Sequence, residues 1–172
     1  HYGISKYAQD LIARLYARSY GLKIVVSRAF NITGAGRADV FVDSSFAKQV
    51  VEVEKGKREV IKHGNLDSER DFVSVKDVVA GYVKALRSEK WGEVFCFGSG
   101  KPVKIEDILT GLFALSECEN ITRELDPERM RPTDTKTMKC DFSKAKRVLG
   151  WSPKHSLESS LQDLLDYWRK KI

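Results

Sequence analysis

Tyr2 and Lys6 place a phenol and an ammonium four residues apart, which on a helix means one face. An ammonium beside a phenol favours the phenolate and lowers the tyrosine pKa from its usual ~10. Such a tyrosine can give a proton to a carbonyl oxygen, or take one from an alcohol, while hydride moves at the carbon. Many helices carry the same pair as plain surface residues, so the spacing needs support from elsewhere. Arg28-Ala-Phe-Asn31 closes a short apolar run, the position where α/β folds put ligand contacts. Two later segments bring arginine and aspartate together: Gly64-Asn-Leu-Asp-Ser-Glu-Arg-Asp-Phe-Val-Ser-Val-Lys-Asp77 and Arg131-Pro-Thr-Asp134.

Each of these residues has a structural alternative. Arg28 has an equal claim to a partner carboxylate, and Asp71 and Asp77 to helix caps. Trp91, Trp151 and Trp168 read as packing anchors, since indoles bury large areas. Gly98-Ser-Gly100 follows a strand but lacks the full G-x-G-x-x-G pattern, so it reads as a turn.

The elements that must position these residues follow from periodicity. Residues 2–20 read as a helix stopped by Gly21, and Leu22 to Phe30 as a strand buried on both faces. Phe46 to Lys55 is helical in pattern, Val60-Ile61 and Phe72-Val73 are extended, and residues 75–88 are a helix. The apolar side of that helix carries Val75, Val78, Val79, Tyr82, Val83 and Leu86. Glu93 to Phe97 is a strand, Ile105 to Leu115 a helix and Ile121 to Leu125 a strand. Ser143, as N-cap, begins a short helix that ends at Gly150, and Ser156 to Lys171 is a terminal amphipathic helix. Strands alternating with helices give an α/β fold, but with one sheet-central strand the pattern is that of the tail of a larger fold.

Composition narrows the function classes. The 172 residues contain 42% hydrophobic and 31% charged residues, as expected of a globular domain. No stretch approaches the ~20 apolar residues of a membrane span. Cys96, Cys118 and Cys140 lack a C-x-x-C, and the three histidines are scattered, so neither a disulfide framework nor a metal site is expected. We therefore expect a cytoplasmic protein. The net charge is +6, but basic and acidic residues interleave, as in Glu52-Val-Glu-Lys-Gly-Lys-Arg. That pattern argues against a nucleic-acid partner and suits a small anionic substrate.

Taken together and in order, Tyr-x-x-x-Lys, the strand ending in Arg-x-Phe-Asn, the Arg-Asp-(aromatic) segment and Gly150-Trp-Ser-Pro153 resemble the extended short-chain dehydrogenases/reductases. The resemblance runs from Tyr2 to Tyr167. It implies the C-terminal part of an NAD(P)-binding, Rossmann-like fold with its small substrate-binding domain. Residues 1–37 would be the last helix and strand of the Rossmann portion, and residues 38–172 the sugar-nucleotide-binding domain with returns to the sheet. Within the family, the Gly-Asn-Leu-x-x-x-Arg-Asp-Phe and Arg-Pro-x-Asp segments look most like the enzymes of GDP-deoxymannose metabolism. They imply reduction of GDP-4-dehydro-6-deoxy-D-mannose at C4 with NADP or NAD as cofactor. The alternatives are 4,6-dehydration of GDP-mannose or another sugar-nucleotide epimerase or dehydratase reaction.

The resemblance also assigns roles. Tyr2 would be the acid/base and Lys6 would bind the nicotinamide ribose. Ala29 and Phe30 would border the nicotinamide, and Asn31 would hydrogen-bond the substrate. Arg70 and Arg131 would grip the diphosphate, Asp134 the ribose hydroxyls, and Phe46 and Lys48 would flank the sugar and base. The family's glycine-rich turn and its substrate-binding Ser or Thr belong upstream of the tyrosine, and the sequence opens at His1-Tyr2 without methionine. We therefore expect the N-terminal dinucleotide-binding half to be absent and this chain alone to be inactive. A GDP-sugar, the missing half and a second copy docked through helix 2–20 are the expected partners. A non-catalytic nucleotide-sugar-binding or oligomerisation module is the reading from a different class.

Overall fold

The computed structural model describes residues 1–130 and 135–172. Helix α1 spans Tyr2–Tyr20 and ends where Gly21 takes a left-handed conformation (φ 66°), which costs glycine nothing. Among its residues only Asp10 and Ala17 are buried. Of the expected strand Leu22 to Phe30 only Val26–Ala29 forms, and a second, unexpected strand follows at Asn31–Thr33. Strand β1 (Val26–Ala29) pairs in parallel with β5 (Val94–Phe97), and β2 (Asn31–Thr33) pairs in parallel with β4 (Glu69–Ser74). Phe30, the one residue between β1 and β2, donates its N–H to the Phe97 carbonyl at 2.9 Å. The expected burial of this run on both faces is not found: Ser27 and Arg28 are exposed because β1 has one strand neighbour among the described residues.

Strand β4 organises the second sheet. Besides β2 it pairs antiparallel with β6 (Pro102–Lys104) and in parallel with β8 (Thr137–Met138). Sequence reading missed both: each is very short, and a proline opens β6, as is tolerated at a strand start. A third, two-stranded parallel sheet joins β3 (Val60–His63) to β7 (Thr122–Leu125).

Two cores result. The larger is built by α2 (Val42–Glu54), α4 (Ile105–Ala114) and α6 (Leu157–Lys171), with Phe46, Val50, Leu109, Leu112, Leu164 and Trp168 inside. The smaller joins β5 to α3 (Val75–Arg87) and α5 (Ser143–Leu149) through Phe95, Phe97, Ala145 and Trp151. The Phe97 and Trp151 rings meet edge-to-face at 4.9 Å. Trp151 and Trp168 are buried as expected, whereas Trp91 is half-buried. The apolar side of α3 divides: Val78 is buried, but Val79, Tyr82, Val83 and Leu86 are exposed. Ser74 caps α3 by accepting the Lys76 N–H, and Ser156 caps α6 by accepting the Ser159 N–H. The N-cap of α5 is Phe142 rather than Ser143, and the Asp141 carboxylate takes the Ser143 N–H at 2.8 Å. Among the described residues no helix is long and apolar enough to cross a membrane.

The ends of α2 and α6 are tied by Arg169, whose Nε and Nη2 donate to the two oxygens of Glu54 at 2.9 and 2.8 Å. Burial pushes the Glu54 pKa up. The Arg169 guanidinium, the Glu117 N–H and the Ser116 hydroxyl outweigh it and hold the carboxyl below the ordinary glutamate range. A carboxyl lowered on folding contributes stability present above its unfolded pKa and lost as pH falls through the folded value. Glu54→Gln is therefore expected to cost about 1–3 kcal/mol at pH 7. Its deficit relative to the parent chain should shrink below about pH 4.3, the unperturbed glutamate value. Urea unfolding of both proteins from pH 7 to pH 3 measures this, and a constant deficit would remove the pair from the acid response.

Gly98 admits a close neighbour. A Cβ there would lie 2.3 Å from Cys140 Cβ and 2.8 Å from its Sγ. Gly98→Ala should accordingly cost about 1–3 kcal/mol through overpacking. Thermal denaturation checks it, and an unchanged melting temperature would contradict so tight a contact.

Candidate active site

Tyr2 and Lys6 lie on the first turns of α1. Tyr2 is 74% exposed, and the Lys6 ammonium sits 5.8 Å from its ring centroid. Lys6 also donates to Gln9 Oε1 at 3.3 Å. Beside them an open groove of about 790 Å³ runs between α1 and Ile24, lined by Lys6, Gln9, Ile12 and Tyr16 among others. The helix is fastened to β1 by charge. Asp10, buried, accepts a hydrogen bond from Arg28 Nε at 2.7 Å, forms an ion pair with its Nη2 at 2.6 Å, and pairs with Arg14 at 3.1 Å. Of its two readings, Arg28 thus takes the carboxylate partner.

Ala29, Phe30 and Asn31 occupy the step from the first sheet to the second and are half-buried. The Asn31 side chain donates Nδ2–H to the backbone carbonyl of Asp71 at 3.1 Å. Strand β4 thereby holds Asn31 on one side and carries Arg70 next to it. Arg70 Nη1 donates to its neighbour's carbonyl, Glu69 O, at 2.7 Å and to Thr135 O at 2.6 Å. The Lys136 carbonyl accepts the Glu69 N–H at 2.8 Å, so residues 135–138 are stitched along β4. Arg131 and Asp134 lie outside the described residues.

Asp71 and Asp77 do more than cap a helix: each clamps a distant stretch of backbone. Asp71 is completely buried. Its Oδ1 accepts the Ser99 N–H (2.6 Å) and Ser99 hydroxyl (2.7 Å), and its Oδ2 accepts the N–H groups of Gly100 (2.8 Å) and Cys140 (2.9 Å). Gly98-Ser-Gly100 is thus a turn, closed around a carboxylate. Asp77, in the first turn of α3, accepts the N–H groups of Lys154 (2.9 Å) and His155 (3.0 Å) and faces His155 Nδ1 at 2.9 Å. These two clamps escaped the sequence because their partners are distant backbone groups.

The loop from Gly34 to Phe41 leads from β2 into α2. It is pinned by Arg37, which pairs with buried Asp43 at 2.7 Å and donates to the Ile32 carbonyl. Burial pushes the Asp43 carboxyl up, and the Arg37 charge opposes it. The two remaining expected ligand contacts on α2 diverge. Phe46 is 2% exposed and belongs to the larger core, which corrects its assignment as a wall of the sugar site. Its position faces α4 and α6 because it recurs with Val50 on the apolar side of α2. Lys48 is half-buried, with Nζ 2.6 Å from Asp39 Oδ2 and 5.5 Å from the Trp168 ring centroid.

Among the described residues no group of three His, Cys, Asp or Glu side chains could hold a metal ion. Burial pushes the Cys140 thiol up to about 12 and the Cys96 thiol up as well, which disfavours the nucleophilic thiolate. A cavity of about 400 Å³ between β2, β4 and the start of α6, bordered by Thr33, Ser74, Ser99 and His155, includes none of the expected site residues.

Residues 1–164 match the family described as GDP-mannose 4,6 dehydratase. The GDP-6-deoxy-D-mannose reductase of Pseudomonas aeruginosa is 28% identical over 172 residues, covering 99% of this chain and 56% of the reductase. Among solved structures, RMD from Pseudomonas aeruginosa complexed with NADPH has a TM-score of 0.92 at 27% identity, over 99% of this chain and 57% of that one. UDP-glucose 4-epimerase from Thermotoga maritima, solved with UDP-glucose, has a TM-score of 0.82 at 29% identity, over 99% and 53%. The chain spans about half the length of these relatives. Its α/β architecture is that of the C-terminal portion of their Rossmann-like fold. On the family match, and with the Tyr–Lys helix, the Arg-x-Phe-Asn strand and the Arg-Asp-Phe strand adjoining as described, the chain belongs to the GDP-mannose 4,6 dehydratase family of extended short-chain dehydrogenases/reductases.

Proposed function

We propose that this chain is the catalytic-tyrosine and sugar-nucleotide half of an NAD(P)-dependent nucleotide-sugar oxidoreductase. The reaction is reduction of the C4 ketone of GDP-4-dehydro-6-deoxy-D-mannose. The observation that carries the reading is the exposed Tyr2 phenol with the Lys6 ammonium 5.8 Å from its ring centroid, on a helix fixed to β1, which leads through Phe30 to Asn31. A dinucleotide would be held at this edge of the molecule: Lys6, next to Tyr2, lines an open groove, and Ala29 and Phe30 offer backbone at the sheet-to-sheet step. When bound, NADPH or NADH supplies the hydride.

This chain's own residues supply the rest. Tyr2 gives its phenolic proton to the C4 oxygen as the ketone becomes an alcohol, and the phenolate recovers a proton from solvent. Lys6 stabilises that phenolate electrostatically and binds the nicotinamide ribose. Asn31, with one amide N–H on β4, has its amide oxygen and second N–H for the sugar. Arg70 and Arg131 take the diphosphate, Asp134 the ribose hydroxyls, and Lys48 flanks the base. The dinucleotide-binding half is the partner. Exposed Ile4, Tyr7, Ile12 and Leu15 on α1, with Val79, Val83 and Leu86 on α3, are the apolar surface that such a half, or a second copy through helix 2–20, would cover. Three free cysteines suit the reducing cytoplasm.

The family description favours a second reading, dehydration of GDP-mannose, which is redox-neutral overall and needs no net NADPH. We expect no turnover from the 172-residue chain alone. Supplied with the N-terminal half of the Pseudomonas aeruginosa reductase, it should oxidise one NADPH per ketone, followed by absorbance at 340 nm. Tyr2→Phe should lower kcat by roughly 10²–10⁴-fold. GDP-mannose consumed without NADPH loss would replace reduction by dehydration. A Tyr2→Phe protein as active as the parent would end the reading.

A further inference from the structure

The Asp71 carboxylate lies where three separate stretches of chain converge, and each stretch leads to a residue assigned to the sugar nucleotide. Through its own strand it adjoins Arg70. Through its backbone carbonyl it holds the Asn31 amide at 3.1 Å. Through Oδ2 it accepts the Cys140 N–H at 2.9 Å, anchoring the far end of the stretch that follows Arg131 and Asp134 in sequence. The fourth attachment is the 98–100 turn, gripped by three bonds of 2.6 to 2.8 Å. That turn lies between β5, which bonds the Phe30 N–H, and β6, which pairs with Arg70 across the sheet.

We propose that Asp71 is a positioning residue for nucleotide-sugar binding, setting Asn31, Arg70 and residues 135–140 in register while touching no ligand itself. The inference rests on the nucleotide-sugar reading above. A carboxylate suits this place because it only accepts: four donors, three of them backbone N–H groups, converge on its two oxygens. An asparagine cannot replace it. Whichever oxygen becomes NH2, the amide meets at least one backbone N–H head-on, and a buried donor is left without an acceptor.

Asp77 provides the internal control. It is the same residue type, also buried, and clamps a backbone loop with bonds of 2.9 and 3.0 Å, yet it holds residues 154–155 rather than any residue assigned to the substrate. Loss of either clamp should lower stability, whereas loss of ligand affinity should follow Asp71 alone.

The test is calorimetric titration of the chain with GDP-mannose, with thermal unfolding and amide exchange of the Asn31 side chain followed by NMR. Asp71→Asn is expected to weaken GDP-mannose about tenfold or more and to speed exchange at Asn31. Asp77→Asn should melt earlier while keeping affinity within about twofold. Equal affinity losses in both variants, or a destabilised Asp71→Asn chain with unchanged affinity and exchange, would overturn the proposal. If Asp71→Asn does not fold, Ser99→Ala decides. It removes one of the four bonds and leaves the three backbone donors in place, so it should weaken GDP-mannose by about threefold with near-parent melting. An unchanged affinity in Ser99→Ala would then overturn it. Should the parent chain not bind GDP-mannose, the nucleotide-sugar reading fails on that result. Asn31 exchange alone then decides whether Asp71 sets its position.

Discussion

A buried carboxylate ringed by backbone N–H groups is the constraint on which the arrangement of this molecule depends. Asp71 has no contact with solvent, so its oxygens must be satisfied from within, and the groups that satisfy them come from 28 to 69 residues away. Hydrophobic burial draws α2, α4 and α6 together without fixing how the loops above them meet β4. Directional bonds to a buried acceptor do fix it. Asp77 repeats the device six residues on, where it sets the loop between α5 and α6. One segment, Arg70 to Asp77, is at once a strand, a helix start and the anchor of two distant loops.

Packing and electrostatics divide the work between the two cores. The larger is an apolar cluster of three helices, and its one buried indole N–H is answered by the Ser44 hydroxyl at 3.0 Å. The smaller rests on aromatic contacts, with Phe97 and Phe142 both edge-on to Trp151. Helix α1 has little of either. A 19-residue helix with two buried side chains is held by the Asp10–Arg28 pair and a few apolar contacts, so its placement is set by charge more than by burial.

Much of this was legible in the sequence, and the part that was not has a definite character. The 3.6-residue period located the helices, and Gly21, Gly150 and Ser156 marked their ends where expected. The spacing of Tyr2 and Lys6 foretold their proximity because a helix enforces it. The second strand at residues 31–33 was hidden, since an apolar run does not say which neighbour the residues after it will pair with. Phe46 was misassigned because an aromatic near a ligand motif and an aromatic in a core look alike in sequence. Likewise, nothing local in Asp71 tells of donors at Ser99, Gly100 and Cys140. Those bonds go to main chain, which every residue has and no residue type advertises.

The passage from β1 to β2 carries a mechanical consequence. One residue, Phe30, joins a strand of the first sheet to a strand of the second, and its N–H is bonded to the first. There is no slack between them. A tilt of the first sheet, which carries Ala29, is transmitted to Asn31 across a single intervening residue. Ala29 and Asn31 therefore keep a fixed relation, set by the backbone that joins the two sheets.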